Sequence, residues 1–224
     1  MLRFCRLKEG PKAAYLLGWV AFAIAFGGAA FPARGQPPAA PRSAAPELLN
    51  SERIEQQFGS YGVEVLRSDA RLRVANLYSA TSPANGEQKP RTCRTFAVTR
   101  YPEVVASEFA AEHEQILGGG SIGAVFASHG WRVTKTHLYY GEVDAAPRIA
   151  ELMHVAPGTR LALDAYVLVV TKAAASREYA AIVEIHHPDY LRSTDLAAIY
   201  GPPDARGREP LLAELLADAQ AAAR

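Results

Sequence analysis

Three short segments, far apart in the chain, hold residue types able to do chemistry. Arg94 stands in Thr92-Cys93-Arg94-Thr95-Phe96-Ala97-Val98, and Glu184 in Ile182-Val183-Glu184-Ile185-His186-His187-Pro188. Between them lies the glycine-rich break Leu117-Gly118-Gly119-Gly120-Ser121-Ile122-Gly123. A guanidinium is a planar fork that grips a carboxylate through two hydrogen bonds. A desolvated carboxyl has a raised pKa and can give or take a proton near neutral pH. Side chains alternate along a strand, so Arg94 is expected to share a face with Phe96 and Val98, and Glu184 with Ala180, Ile182 and His186. A buried charge costs on the order of several kcal/mol unless it is paired. Both charges thus need a partner, and three readings stay open: a ligand site, a core ion pair between the two, or surface positions.

The glycine break matches the GxGxxG string of dinucleotide sites, but it follows a helical pattern instead of a strand, which argues against a nucleotide. It reads better as a helix C-terminal turn, either a plain cap or one whose free N–H groups near Ser121 and Ile122 face an anion. His186 and His187 are adjacent on a strand and face opposite ways, so they do not chelate one ion together, and no metal is expected. His186, on the Glu184 face, reads as a pocket-lining residue or as an ordinary strand-end histidine. Ser121 is not in a GxSxG elbow, and no nucleophile arrangement stands out.

The order of these pieces resembles chorismate pyruvate-lyase and the ligand-sensing UTRA domains of the same superfamily. In that family an Ala-Arg-Ser/Thr strand is followed by Pro, a helix, a Leu-Gly…Pro-Leu-Gly turn, and a last Thr-Glu-aliphatic-aromatic-Leu-Pro strand. Arg94-Thr95 with Pro102, Leu117-Gly118 with Ser121-Ile122-Gly123, and Glu184 ahead of Pro188 fall in that order over roughly residues 60 to 192. Pro102 comes later than the family's proline, Ser121 replaces a proline, and His186-His187 replaces the aromatic-aliphatic pair. The resemblance implies that Arg94 holds a substrate carboxylate, with a backbone amide of the Ser121-Ile122-Gly123 turn beside it, and that Glu184 lies at the ether or hydroxyl end of the ring. It implies either a lyase releasing 4-hydroxybenzoate and pyruvate from chorismate, with Arg94 and Glu184 catalytic and no cofactor, or a non-catalytic sensor or envelope scaffold. The ligand in either case is a small aromatic or cyclic carboxylate.

The elements that must position these residues follow from periodicity. Ser51 is a candidate cap for a short helix with Ile54 and Phe58 inward, ended by Gly59. Strands are expected over Val63 to Arg67 and Arg71 to Tyr78, then a hairpin loop from Ala80 to Arg91 leading into the Arg94 strand. Val105, Phe109, His113 and Ile116 are spaced for a helix that stops at Gly118. A strand over Arg132 to Tyr140, a short helix capped by Asp144, a strand over Leu161 to Thr171 and the Glu184 strand complete the pattern. The fold class is α+β, a mostly antiparallel sheet of about six strands with helices packed on it.

With 224 residues, 49% of them hydrophobic and 21% charged, the chain has material for one sizeable domain. It is assigned to residues 47–200, followed by a C-terminal helical tail over 201–224. The first 35 residues hold five Lys or Arg and one acid, leaving 19 bases against 22 acids after them, so the body lacks the electrostatic footprint of a nucleic-acid binder. Ala13 to Ala30 carries no charge and follows a basic start, the pattern of an export signal over residues 1–35, cleaved or kept as a membrane anchor, with a buried core helix as the bland alternative. The folded part is then expected in the periplasm or another extracytoplasmic space, touching the membrane only through that segment. Residues 36–46 form a Pro/Ala-rich linker. Cys5 and Cys93 fall on opposite sides of the apolar run and are not expected to pair. Cys93 reads as a small buried hydrophobe more readily than as a reactive thiol.

Overall fold

The computed structural model describes residues 48–80 and 91–224. The basic and apolar N-terminal segment, the linker and the expected loop between Ala80 and Arg91 lie outside the described residues. The described residues fall in one compact unit. Among the described residues no helix is long and apolar enough to cross a membrane.

Six strands form one antiparallel sheet: β1 (Gly62–Ser68), β2 (Leu72–Ala80), β3 (Arg91–Arg100), β4 (Arg132–Asp144), β5 (Arg160–Lys172) and β6 (Ala175–His186), in the order β1-β2-β3-β6-β5-β4. Two three-stranded meanders thus meet at β3 and β6. Among the described residues six helices pack on the sheet: α1 (Asn50–Phe58), α2 (Ala110–Leu117), α3 (Ile122–Ser128), α4 (Pro147–Met153), α5 (Ser193–Tyr200) and α6 (Glu209–Ala222). The α+β architecture read from the sequence is the one observed.

The register puts Ala97, Glu184 and Asp164 side by side across β3, β6 and β5. Residues directly opposite in an antiparallel sheet project to one face. That face carries α1, α2, α3 and α5. Phe109, Phe126, Trp131 and Tyr179 lock α2 and α3 onto it through edge-to-face contacts, with ring centroids 4.6 to 6.2 Å apart. Burying each such ring contributes roughly 1.5 to 3 kcal/mol. Ile54, Tyr190 and Leu196 form a second cluster under α1 and α5. The C-terminal residues form α6, which buries Leu215 and Ala219, and Arg100 of β3 binds Asp218 at 2.8 Å and Glu214 at 3.3 Å.

Local details differ from expectation for physical reasons. The N-cap of α1 is Leu49, one residue outside the helix, and its N–H is taken by the Glu52 carboxylate at 2.9 Å, so Ser51 lies inside the first turn. Gly59 ends this helix at φ 74°, a left-handed conformation suited to glycine. The helix expected over Val105 to Ile116 begins later, because Ser107–Phe109 is a single 3₁₀ turn leading into α2. Asp144 ends β4 and pairs with Arg160 at 3.2 Å, and Ala146 caps α4 instead.

Candidate functional site

A cavity of about 70 Å³ lies on the α1/α3 face of the sheet, and all six strands contribute to its floor and walls. Leu49 to Ser51 at the start of α1 and Ser121 to Gly123 at the start of α3 line its other side. The two helix starts come so close that a Cβ on Gly123 would stand 2.8 Å from Leu49 Cδ1. Glycine at 123 permits that approach. Tyr61 donates to Ser121 Oγ at 3.1 Å, tying the start of β1 to the opening of α3.

Arg73 of β2 faces this cavity and, unlike Lys135, has no carboxylate partner among the described residues. Its residue is only 3% exposed, one terminal nitrogen donates to the Gly120 carbonyl at 2.9 Å, and Nε finds no hydrogen bond. A guanidinium has five N–H donors and keeps its charge under all ordinary conditions. Burying it with Nε unpaired is costly unless an anion completes it.

Lys135 and Glu184 form the polar wall opposite. Lys135 Nζ lies 3.3 Å from Glu184 Oε2, both side chains about 5% exposed, and also 4.4 Å from the centre of the Tyr166 ring. Burial pushes the Glu184 carboxyl up, but Lys135, His186 and a hydrogen bond from Tyr166 outweigh it and hold the group below its ordinary value. Glu184 is therefore an ionised acceptor, not the high-pKa proton donor that a buried carboxyl alone would be. Behind this wall His137 Nδ1 meets Asp164 Oδ1 at 2.9 Å, and His137 stacks on Tyr200 at 4.5 Å between ring centres. His186 Nδ1 meets Thr95 Oγ1 at 3.1 Å. His187 turns the other way along the chain, its Nδ1 accepting the Asp189 N–H at 3.0 Å.

The sequence-derived site residues are thus divided. Ser121, Ile122, Gly123 and Glu184 line one cavity, His186 sits beside Glu184 outside the lining, and Arg94 is not part of it. The register of β2 and β3 shifts between Leu77 and Tyr78, which pair with Thr95 and Cys93 and leave Arg94 as the extra residue of a bulge. A bulge breaks strict alternation. Arg94 is consequently not carried with Phe96 and Val98. Its Nε donates to Ser79 Oγ at 2.8 Å, and its guanidinium lies 3.8 Å from the centre of the Phe58 ring. The alternative of a core ion pair between Arg94 and Glu184 is also corrected, since the carboxylate takes Lys135. Nor does the end of α2 supply free amides: the N–H groups of Gly118, Gly119 and Gly120 are bonded to Glu114, Ile116 and Gln115 carbonyls. Ser121 to Gly123 instead open α3, whose first-turn N–H groups have no partner within a helix.

Arg73, Lys135 and Asp164 were not singled out from sequence. For Asp164 the signal was present, since it interrupts the apolar run Leu161-Ala162-Leu163-Asp164-Ala165-Tyr166-Val167 in the same way that Glu184 interrupts its own. Arg73 sits in Leu72-Arg73-Val74-Ala75-Asn76-Leu77, where apolar residues on both faces point to a strand covered on both sides. Lys135 lies in an alternation with polar neighbours that reads as solvent-facing.

No family model matches the chain, and no curated protein matches it. Similar solved structures include the ligand-binding domain of a putative GntR-family transcriptional regulator from Bordetella bronchiseptica, at 16% identity, TM-score 0.37, over 59% of this chain and 88% of that one. The C-terminal domain of Yurk from Bacillus subtilis subsp. subtilis str. 168 is 14% identical, with TM-score 0.33 over 58% of this chain and 89% of the other. A GntR-family transcriptional regulator from Enterococcus faecalis V583 is 12% identical, with TM-score 0.30 over 59% and 93%.

Proposed function

We propose that this chain is a non-catalytic binding domain for a small organic anion, held by Arg73 at one end and by Lys135, Tyr166 and Glu184 at the other. The observation that carries this reading is Arg73, a buried guanidinium lining a cavity with its Nε unpaired. A carboxylate suits it because the fork and two carboxylate oxygens match in plane and spacing. The Lys135–Glu184 pair suits a hydroxyl, which can accept from the ammonium and donate to the carboxylate. Ligand binding is also what the resemblance to sensor domains implies, and one similar structure bears that description in its own name.

The cavity limits the ligand. At about 70 Å³ it is roughly half the size of an apolar cavity of about 150 Å³ that accepts benzene. A short hydroxy acid fits it directly, and a cyclic or aromatic carboxylate requires the Leu49 to Ser51 edge to give way. Chorismate cleavage finds less support: general acid catalysis needs a protonated carboxyl, and the Lys135 contact favours the ionised form of Glu184. Export by residues 1–35 belongs to the same proposal, placing an extracytoplasmic binding domain behind a linker.

Calorimetric titration of the full chain with 4-hydroxybenzoate and with lactate tests it. Binding of either is expected to weaken by about 30- to 1000-fold in Arg73→Met, since the ligand's charge loses a desolvated partner. Arg94→Met is expected to leave it within about threefold. Loss of binding in Arg94→Met with retention in Arg73→Met overturns the assignment, as does absence of binding at millimolar ligand in the unaltered chain.

A further inference from the structure

Asp164, Glu184 and His186 bring one oxygen, one oxygen and one nitrogen to within 4.8 Å of each other, and all three residues are buried. They stand on two adjacent strands, with Asp164 directly opposite Glu184 and His186 two positions further along β6 on the same face. Like charges directly opposed across a strand pair are destabilising, more so in a dry interior. Each carboxylate has a basic side chain beside it, His137 on Asp164 Oδ1 and Lys135 on Glu184 Oε2, and Glu184 also takes a hydrogen bond from Tyr166. What remains faces inward: Asp164 Oδ2 and His186 Nε2 have no hydrogen-bond partner among the described residues. Asp164 is 0% exposed and His186 1%.

From this geometry we infer that Asp164, Glu184 and His186 form a binding site for one divalent transition-metal ion of the zinc type, with one imidazole and two carboxylate ligands. One nitrogen and two oxygens suit zinc, whose bonds to them are about 2.0 to 2.2 Å. Ligand atoms on one such ion lie roughly 3 to 3.5 Å apart, so separations of up to 4.8 Å need to close by at most about 1.3 to 1.8 Å. Thr95 holds the second ring nitrogen of His186, the outer contact that orients a metal-binding imidazole. Lys135 stays on the outer oxygen of Glu184, and the ion takes the inner side. The site shares Glu184 with the neighbouring cavity, but Asp164 and His186 lie outside the cavity lining, so their variants report on the ion separately from the ligand.

The full chain is stripped with EDTA, exposed to excess Zn2+, passed over a desalting column and assayed for zinc by atomic emission. The expected result is one zinc per chain and a higher melting temperature than in EDTA. Asp164→Asn and His186→Gln are each expected to retain less than a tenth of that zinc. An unaltered chain that retains none overturns the inference and leaves an ordered water as the bridge between the two unpaired atoms. Zinc retained in full by both variants also overturns it, by assigning the ion to other histidines. Should a variant not fold, Co2+ added to the unaltered chain decides. The intense visible bands of a low-coordinate site with an imidazole ligand support it, and the pale spectrum of the hydrated ion refutes it.

Discussion

Asp164 of β5 stands directly opposite Glu184 of β6, and the two buried carboxylates take different partners, the His137 imidazole for one and the Lys135 ammonium for the other. Charge in this core is therefore shared out pairwise. Removing one member leaves its partner stranded, which gives each pair a measurable signature.

Lys135→Met is expected to destabilise the protein by about 3 to 5 kcal/mol, because it leaves the Glu184 carboxylate buried without its ammonium. The double variant Lys135→Met with Glu184→Leu is expected to recover much of that loss. Arg94→Met, which removes one hydrogen bond to Ser79 and a contact with Phe58, is expected to cost only about 1 to 2 kcal/mol. Urea unfolding of the three variants makes the comparison, and a larger cost at Arg94 than at Lys135 contradicts it.

Acid is expected to weaken the fold in two stages. Burial lowers the pKa of His113, His186 and His187, so as pH falls through the unfolded imidazole value of about 6.5 the unfolded chain takes up protons first. Stability is fully present above that value and declines towards the lower folded values. Glu184, held low by Lys135 against the effect of burial, adds a further loss below the ordinary glutamate value of about 4.3. Melting temperatures between about pH 8 and pH 4 report the slope. His186→Gln is expected to flatten its first stage, and a melting temperature that rises on acidification contradicts the sign.

Cys93 is expected to resist thiol reagents until the protein unfolds. It is a free cysteine, 0% exposed in β3, and burial pushes its thiol far above the ordinary range. The reactive form is the thiolate. Labelling of the native chain at the rate of a small free thiol is the contrary result.

Residues 1–35 are expected to direct the chain out of the cytoplasm. A reporter that works only in the cytoplasm, fused after residue 46, is expected to be silent. Full reporter activity contradicts export, and recovery of a chain beginning near Phe31 or Gln36 distinguishes cleavage from anchoring.

The fold was legible because its signals are local. Alternating apolar runs marked the strands, and Gly59 and Gly118 marked where α1 and α2 stop. The site was half legible. Glu184 and the Ser121 to Gly123 turn stood out because a charge or a glycine cluster breaks an apolar pattern. Arg94 misled because a bulge depends on how β2 and β3 pair, and pairing is a property of two strands that one strand's pattern does not hold. Helix α3 was missed for another reason: with seven residues between a glycine cluster and Gly130, it spans two turns and shows little periodicity.

The order of the sheet bears on how the molecule comes together in time. Each meander is built from neighbours in sequence, whereas its joint with the other brings Thr95 beside His186, 91 positions away. Contacts so distant close late and slowly, because the loop entropy is lost before they reward it. Arg73 belongs to the first meander, and Lys135, Tyr166 and Glu184 belong to the second, so a ligand gripped by both is a clasp across the seam. Such a clasp leaves the folding rate nearly unchanged and acts on the rate of coming apart, so that occupancy of the cavity is registered as the lifetime of the folded state.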